Sequence, residues 1–455
     1  MRDLAGLIKA YDVRGVVPDE LDDDLAREIG RCFGALIAPA PAIVIGHDMR
    51  ESGVGLAKAF AAGVMAQDID VIGIGLASTD QLYFASGKLD IPGAMFTASH
   101  NPAKYNGIKM CYAGAKPVGQ DSGLNQIKDW LTTGTVPDVG GGKSGTSREE
   151  DMLTAYAAHL HSLVDLTGNR ALKVVVDAGN GMGGHTAPAV FNDLPLEIVP
   201  MYFELDGSFP NHEANPIQPA NVADLRKRVV EEKADIGLAF DGDADRCFII
   251  DELGQIVSPS TITALIAARE LRREPGSIII YNLITSRAVP EIVSELGGTP
   301  VRTRVGHSFI KAEMARTGAI FGGEHSGHFY FRDFWNADSG MLAALHTLDA
   351  LGEEGGPLSA LLAQYTRYPA SGEINSTVTD PQAVIARVEQ HYAGAEGVKV
   401  DHLDGLTVTH KDWWFNLRAS NTEPLLRLNA EAGDRPTMER VRDDVLALVT
   451  KGANQ

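Results

Sequence analysis

A serine in a short polar loop is the first residue whose surroundings favour chemistry. Ser99 lies in the segment Thr97-Ala98-Ser99-His100-Asn101-Pro102, which follows the apolar run 91–96. Small and polar neighbours leave its hydroxyl reachable, and Pro102 biases Asn101 toward an extended backbone, so the loop has a defined shape. Such a serine suits a nucleophile or a carrier of a covalently bound group. An N-cap serine is the alternative, and this loop alone does not decide between them.

Alternating aspartates form the second candidate site. Asp241, Asp243 and Asp245 stand between the apolar runs 236–240 and 247–250, with Arg246 directly after them. If the loop curls, the carboxylates converge and repel one another, and a hard divalent cation relieves that repulsion; oxygen-only ligands favour Mg²⁺ or Ca²⁺. An EF-hand is excluded because Arg246 stands where that loop requires glycine. A solvated acidic turn is the remaining alternative.

Two later loops carry groups that bind hydroxyls and anions. The segment from Gly322 to His328 combines paired glycines with hydrogen-bonding groups suited to sugar hydroxyls. The segment from Arg418 to Pro424 combines an arginine, which recognises phosphate bidentately, with hydroxyl and amide groups, and Arg427 follows it. Taken alone, each loop is also compatible with an ordinary surface turn, and the same holds for Gly306 and His307.

Composition limits the classes of partner. The chain has 455 residues and a formal net charge of −20, which argues against nucleic acid and anionic membranes as partners. Its three cysteines are widely separated and predict a reducing compartment rather than a disulfide framework. The first residues resemble neither a signal peptide nor a membrane span, so we expect a cytoplasmic protein. The segment Gly142-Lys143-Ser144 resembles the end of a nucleotide-binding P-loop. Pro137 stands where the first glycine of that motif belongs, which excludes a nucleotide site there.

The elements that must position these loops alternate between strands and helices. The β-branched runs 43–45, 174–176 and 278–280 each end in a polar or glycine-rich turn. Helical patterns over 54–67, 222–232 and 260–272 alternate with them, which predicts βαβ units with buried, mostly parallel strands. A linker or surface loop is predicted over 132–150, and domain boundaries are predicted near 253–260 and after a helix that ends near Arg367. An amphipathic helix over 437–451 closes the chain.

These loops, in this order, resemble the α-D-phosphohexomutase superfamily over essentially the whole chain. The matching segments are the phosphoserine loop at 97–102, the metal loop at 241–246, the sugar loop at 323–328 and the phosphate loop at 418–424. The segment Tyr11-Asp12-Val13-Arg14-Gly15 resembles a further element of that family, one that lines the cleft. The resemblance implies an α/β protein of four domains around a central cleft: three related α/β units with mixed sheets and a C-terminal α+β domain. The expected bounds are 1–145, 146–256, 257–367 and 368–455.

The resemblance also implies the site residues. Ser99 would carry a phosphoryl group and bind Mg²⁺ together with Asp241, Asp243 and Asp245. Lys109, and after it His100, would move the proton of the attacking hydroxyl, and Arg246 would contact the phosphoserine or the substrate. The residues expected to bind substrate are Tyr11, Arg14, Gly306, His307, Glu324, Ser326, His328, Arg418, Ser420, Asn421, Thr422 and Arg427.

The implied activity is an intramolecular phosphoryl transfer on a hexose phosphate, primed by a hexose 1,6-bisphosphate. His325 and Asn421 are typical of the phosphomannomutase and phosphomannomutase/phosphoglucomutase branch, which favours mannose phosphates, with glucose or both sugars as the alternative and glucosamine less favoured. A phosphoserine hydrolase and a non-catalytic phosphosugar sensor are the other classes. The complete sugar and phosphate loops disfavour the hydrolase, and the retained Ser99 and aspartates disfavour the sensor. The resemblance fits a monomer or a homodimer.

Overall fold

The computed structural model describes residues 4–419 and 425–450, without the side chains of Ala5 and His307. The chain divides into two compact units. The first comprises Met1–Pro259, Met314–Phe321 and Ser326–Leu361, and the second comprises Ser260–Glu313, Gly322–His325 and Leu362–Gln455. Each unit is described by itself.

Helices and strands alternate along most of the described chain. The helices are α1 (Leu4–Leu7), α2 (Asp23–Ile37), α3 (Gly53–Met65), α4 (Thr79–Leu89), α5 (Asn125–Thr133), α6 (Leu153–Leu163), α7 (Gly183–Phe191), α8 (Ala223–Glu232), α9 (Pro259–Arg273), α10 (Ala288–Glu295), α11 (His307–Thr317), α12 (Gly340–Glu353), α13 (Leu358–Leu362), α14 (Pro381–Tyr392) and α15 (Arg435–Thr450). The strands are β1 (Val13–Val16), β2 (Ala42–His47), β3 (Asp70–Leu76), β4 (Gly93–Phe96), β5 (Tyr105–Tyr112), β6 (Lys116–Pro117), β7 (Ser147–Glu149), β8 (Leu172–Asp177), β9 (Leu196–Met201), β10 (Ile236–Phe240), β11 (Cys247–Asp251), β12 (Ile278–Asn282), β13 (Thr299–Thr303), β14 (Phe321–Gly323), β15 (Phe329–Phe331), β16 (Ala337–Asp338), β17 (Ala370–Thr377), β18 (Lys399–Asp401), β19 (Leu406–Thr409), β20 (Trp413–Ala419) and β21 (Leu425–Ala432).

The first sheet of the first unit has seven strands in the order β1-β5-β4-β2-β3-β7, with β6 beside β5. β2 pairs in parallel with β3 and β4, whereas β5 pairs antiparallel with β1 and β4, so the sheet is mixed. All four residues of β4 are buried, as expected for a short apolar strand in the interior of a sheet. The loop that contains Ser99 therefore leaves a rigid strand and returns along β5.

The second sheet of the first unit has the strand order β11-β10-β8-β9. β8 pairs in parallel with β9 and β10, and β10 pairs antiparallel with β11. Every residue of β10 and β11 is buried, and Phe240 is in register with Cys247. Residues 241–246 are therefore the turn of a buried hairpin, which forces their side chains into a small volume.

Residues 278–338 contribute both parallel and antiparallel strand pairs. β12 and β13 pair in parallel in the second unit, and β15 pairs antiparallel with β16 in the first.

The C-terminal sheet of the second unit is antiparallel throughout, in the order β17-β21-β20-β19-β18. Helices α14 and α15 cover this sheet through a core that includes Val388, Phe415 and Val445.

The predicted α/β class with mixed sheets and a C-terminal α+β domain is confirmed. The helical patterns over 54–67, 222–232, 260–272 and 437–451 correspond to α3, α8, α9 and α15, with ends displaced by at most two residues. Among the described residues, no helix is both long and apolar enough to cross a membrane.

Two local predictions were wrong. β7 lies inside the predicted linker and pairs in parallel with β3. Its residues, Ser147, Arg148 and Glu149, are all exposed at the sheet edge, so the strand shows no apolar alternation. The helix expected to end near Arg367 ends at Leu362.

Candidate active site

Ser99 occupies a tight turn between β4 and β5. Its backbone has φ +47°, a left-handed conformation that is uncommon for residues other than glycine, and its amide donates to Thr97 Oγ1 at 2.9 Å. The next element along the chain is the strand β5, so Ser99 does not cap a helix. The alternative interpretation of Ser99 as an N-cap serine is therefore excluded. The side chain is only 5 % exposed, less accessible than the sequence suggested, because the aspartate hairpin covers it.

The aspartate hairpin brings its carboxylates to the serine. Ser99 Oγ donates to Asp241 Oδ2 at 2.8 Å. The ligand atoms of Asp241, Asp243 and Asp245 lie within 4.8 Å of one another, and all three residues are buried. A Cβ on Gly242 would come within 2.4 Å of the Ser99 carbonyl oxygen, so only glycine permits this approach.

Lys109 and Arg246 offset part of the negative charge of the aspartates. Lys109, on β5, donates from Nζ to Asp243 Oδ2 and Asp245 Oδ2, both at 2.6 Å. Arg246 donates from Nε to Asp241 Oδ2 at 2.8 Å and from Nη2 to Ser99 Oγ at 3.3 Å. Burial alone would lower the pKa of Lys109, but Asp243 and Asp245 outweigh it and hold that pKa well above its usual value. Burial alone would raise the pKa of Asp243, but the Lys109 ammonium holds it below its usual range.

His100 is the neutral member of the cluster. Its Nδ1 lies 3.2 Å from Ser99 Oγ and 2.5 Å from Arg246 Nη2. Burial, followed by the positive charge of Arg246, holds the pKa of His100 well below 6.5, so the ring is uncharged at neutral pH. Because a guanidinium can only donate, Nδ1 must accept, which places the ring proton on Nε2. Sequence proximity singled out both His100 and Lys109, and the structure gives them different charge states: Lys109 is positively charged and His100 is neutral.

The aspartates have the donor set of a divalent cation site. Asp243 Oδ1 and Asp245 Oδ1 are buried and have no hydrogen-bond partner among the described residues. A buried carboxylate oxygen without a partner is costly, and a hard cation would satisfy it. Together with Asp241 and the Ser99 hydroxyl, these oxygens fit Mg²⁺.

Thr79 is a supporting residue that sequence reasoning missed. Its Oγ1 donates to Asp243 Oδ2 at 2.6 Å, and its amide donates to the Asp243 carbonyl at 3.0 Å. It is the first residue of α4, whose N-cap is Ser78. A Ser-Thr pair at the start of a helix was the available signal, but nothing in the sequence connects it with a hairpin more than 160 residues away.

The N-terminal segment also reaches the serine loop. Arg14, on β1, donates from Nη1 to Asn101 Oδ1 at 2.6 Å and from Nη2 to Asp12 Oδ2 at 2.5 Å. Tyr11 is half-buried just before that strand. The structure therefore places Arg14 at the serine loop, in the same unit as the aspartates.

The predicted sugar-binding residues divide between the two units. In the first unit, Ser326 Oγ lies 3.0 Å from His328 Nδ1, and His328 Nε2 lies 3.7 Å from Asp245 Oδ1. In the second unit, Glu324 is buried and its Oε1 accepts from Asn282 Nδ2 at 3.2 Å and from the Gly306 amide at 3.1 Å. The His307 side chain lies outside the described residues.

The predicted phosphate-binding arginines lie on adjacent strands of the C-terminal sheet. Arg418 on β20 is in register with Arg427 on β21. Glu373, which sequence reasoning missed, lies 3.3 Å from Arg418 Nη2 through Oε2 and 3.4 Å from Arg427 Nη1 through Oε1. Burial lowers the pKa of Arg418, and the Glu373 carboxylate opposes this shift. Ser420, Asn421 and Thr422 lie outside the described residues.

Comparison with known proteins identifies relatives of the whole chain. Four family models match it: phosphoglucomutase/phosphomannomutase alpha/beta/alpha domains I (residues 5–136), II (154–254) and III (258–368), and the C-terminal domain (373–448). A phosphomannomutase of Salmonella montevideo is 41% identical over 449 residues, covering 97% of this chain and 98% of that protein. A Xanthomonas campestris protein named phosphohexose mutases is 41% identical over 444 residues, with the same shares covered. A Burkholderia thailandensis crystal structure of the phosphoglucomutase/phosphomannomutase family has a TM-score of 0.90 and 34% identity, covering 100% of this chain and 99% of the other.

Proposed function

Because this chain belongs to the α-D-phosphohexomutase superfamily and is a phosphohexomutase, we propose that it interconverts mannose 6-phosphate and mannose 1-phosphate. The observation that carries the mechanism is the 2.8 Å hydrogen bond from Ser99 Oγ to Asp241, in a cluster with the donor set of a metal site. The name of the Salmonella relative supports mannose as the sugar. The broader name of the Xanthomonas relative supports a second candidate, a dual enzyme that also accepts glucose phosphates.

Ser99 carries the phosphoryl group between two half-reactions. In the first, the free hydroxyl of the bound hexose phosphate attacks phosphorus, the bond from phosphorus to Ser99 Oγ breaks, and a hexose 1,6-bisphosphate forms. In the second, Ser99 Oγ attacks the other phosphate of that intermediate and the isomeric monophosphate is released. Asp241, Asp243, Asp245 and Ser99 would hold Mg²⁺, whose charge offsets the negative charge that develops during transfer.

Lys109, Arg246 and His100 serve this transfer in different ways. Arg246 donates to Ser99 Oγ in the unmodified enzyme, so it stabilises negative charge on that oxygen as the bond to phosphorus breaks. In the absence of substrate, Lys109 is protonated and His100 is neutral. Lys109, and after it His100, are our candidates for the group that moves the proton of the attacking hydroxyl in either direction of the transfer.

The residues that we propose for substrate binding are those named by the sequence. Arg418, with Arg427, Ser420, Asn421 and Thr422, binds the phosphate that the substrate already carries. Glu324 and Ser326 bind sugar hydroxyls as acceptor and donor. Tyr11, Arg14, Gly306, His307 and His328 complete the contacts to the sugar phosphate. The bisphosphate must be bound in both orientations, so one set of contacts serves both half-reactions.

We also propose the four-domain division 1–145, 146–256, 257–367 and 368–455. The four matched family ranges, 5–136, 154–254, 258–368 and 373–448, support it.

The decisive experiment measures turnover of the Ser99→Ala variant. Wild-type protein with Mg²⁺ and a trace of glucose 1,6-bisphosphate should interconvert the mannose phosphates and take up label on Ser99 from labelled bisphosphate. Ser99→Ala should lose both, whereas the exposed Ser144→Ala control should keep both. Full turnover by Ser99→Ala would disprove the phosphoserine mechanism.

A second experiment tests the choice of sugar. The kcat/KM values for mannose, glucose and glucosamine 1-phosphates, measured side by side, should be highest for mannose 1-phosphate. A clear preference for glucosamine 1-phosphate would refute the substrate assignment.

A further inference from the structure

A buried arginine, Arg50, binds the serine loop from behind. It is 2 % exposed and lies three residues after the end of β2, in the loop between β2 and α3. Nη2 donates to the carbonyl oxygens of Ser99 at 2.9 Å and Asn101 at 2.7 Å. Nη1 donates to the carbonyl oxygens of Pro102 and Tyr105, both at 3.0 Å. The loop that carries Ser99 is thus bound at four backbone positions by one guanidinium.

The guanidinium is itself held in place. Asp48, which is completely buried, accepts from Arg50 Nε through Oδ2 at 3.2 Å and from the Arg50 amide through Oδ1 at 2.9 Å. The Asp48 amide donates to the carbonyl of Phe96, the last residue of β4. The Phe209 ring lies 5.1 Å from the guanidinium carbon. Arg50 is therefore fixed relative to the strand from which the serine loop leaves.

The serine loop needs donors of this kind. Ser99 holds a left-handed φ of +47°, which is unfavourable for a residue with a side chain. Its conformation turns several carbonyls toward the protein interior, where an unpaired carbonyl is costly. Arginine presents five N–H groups in a rigid planar fork, whereas lysine presents three donors from a single atom. A lysine could not reach four carbonyls and Asp48 at once.

We propose that Arg50 is a positioning residue that sets the direction of Ser99 Oγ toward Asp241 and Arg246. This inference rests on the proposed function, because its catalytic readout is phosphoryl transfer through Ser99. Arg50 binds only backbone oxygens of the loop, so it leaves every loop side chain available to the reaction. It touches no reacting atom and acts through the conformation of residues 99–105.

The test compares Arg50→Lys with Arg226→Lys. Arg226 also donates to a loop carbonyl, that of Gly254 at 2.7 Å, in the same unit but outside the serine cluster. Arg50→Lys should lower kcat roughly 10- to 100-fold, since a displacement near 1 Å has effects of that size, while KM changes less than about twofold. Arg226→Lys should keep the wild-type kcat. Asp48→Asn, which keeps the guanidinium and weakens only its anchor, should give an intermediate loss of kcat.

Hydrogen–deuterium exchange tests the same inference without any assay of activity. Amides of residues 97–106 should exchange faster in Arg50→Lys than in wild type, and those of α2 and α3 should not. If exchange in 97–106 is unchanged, or if kcat falls only in proportion to the folded fraction, Arg50 is no positioning residue. If wild-type protein shows no mutase activity, the proposed function fails, and the exchange result still decides whether Arg50 orders the loop. Asp48→Asn provides the same comparison if Arg50→Lys does not fold.

Discussion

At the residue scale, Ser99 and Gly242 bring the backbones of the serine loop and the aspartate hairpin close together. The Ser99 carbonyl oxygen lies so near Gly242 that a Cβ on residue 242 would clash with it. The same carbonyl oxygen accepts a hydrogen bond from Arg50 Nη2. The serine hydroxyl donates to Asp241 on the other side of the turn. The geometry of the cluster therefore depends on a position that has no functional group of its own.

Gly242→Ala should disable the enzyme without unfolding it. The added Cβ would lie 2.4 Å from the Ser99 carbonyl oxygen, so the serine loop or the hairpin must move. We expect at least a tenfold loss of kcat and a destabilisation of about 1–3 kcal/mol, as is typical of overpacked interiors. Steady-state kinetics and thermal unfolding measure the two effects.

Gly355→Ala is the matched control for this steric effect. A Cβ there would have no atom of the described chain within 4 Å, apart from its immediate neighbours in sequence, so turnover and unfolding temperature should both equal those of wild type. Wild-type kcat in Gly242→Ala would show that the approach of the two loops is not needed for catalysis.

Residue type and spacing predicted part of this site. Ser99 and the aspartates stand in short polar segments after apolar runs, so the sequence alone marks them. Arg50, Thr79 and Glu373 could not be found in that way. Arg50 acts on backbone carbonyls, and Thr79 and Glu373 act on side chains brought near by strand and helix packing rather than by sequence proximity.

At the element scale, the first turn of α4 joins three distant segments of the first unit. Asp80 Oδ2 accepts from Tyr156 Oη of α6 at 2.7 Å and from Ser339 Oγ, the N-cap of α12, at 2.6 Å. Ser78 Oγ donates to the other carboxylate oxygen. The preceding residue, Thr79, binds the aspartate hairpin, so this buried network supports the elements that position the metal-binding carboxylates.

The Asp80 network should make stability fall as pH rises from about 4 to 6. Burial raises the pKa of Asp80 from 3.8 to about 6, against the effect of the three hydroxyl donors. The folded protein therefore binds this proton more tightly than the unfolded chain. The resulting stabilisation is complete below pH 3.8, is lost as pH rises through 6, and is absent above both values.

Asp80→Asn isolates this contribution. A shift of about two pKa units corresponds to about 3 kcal/mol, so wild type should lose about that much stability relative to Asp80→Asn between pH 3.5 and 7.5. Chemical denaturation at each pH measures the free energy of unfolding of both proteins. If the difference between wild type and Asp80→Asn were the same at every pH, the prediction would be contradicted.

The sequence predicted elements better where they were buried. Apolar runs located β2, β8 and β12, since buried strands must be continuously apolar. The exposed edge strand β7 was missed because its pairing with β3 is a backbone property, and Ser147, Arg148 and Glu149 carry no sign of it.

At the scale of the whole molecule, the proposed ligand groups belong to different compact units. The aspartates, Ser99, Lys109 and Arg246 lie in the first unit, and Arg418, Arg427 and Glu373 lie in the second. The chain as a whole carries a net charge of −20, so the pair of arginines beside Glu373 is a local exception to an acidic composition. A cation and a phosphate anion should therefore protect different parts of the chain.

Hydrogen–deuterium exchange with separate ligands should reveal this division. Mg²⁺ alone should slow exchange in 97–109 and 241–246, because it would satisfy the buried carboxylate oxygens of Asp243 and Asp245. Inorganic phosphate alone should slow exchange in β20 and β21, which carry Arg418 and Arg427. Asp243→Asn should abolish the first effect and keep the second, whereas Arg418→Gln should do the reverse. Protection by Mg²⁺ that persists in Asp243→Asn would place the cation elsewhere, and protection by phosphate that persists in Arg418→Gln would remove that arginine from the phosphate site.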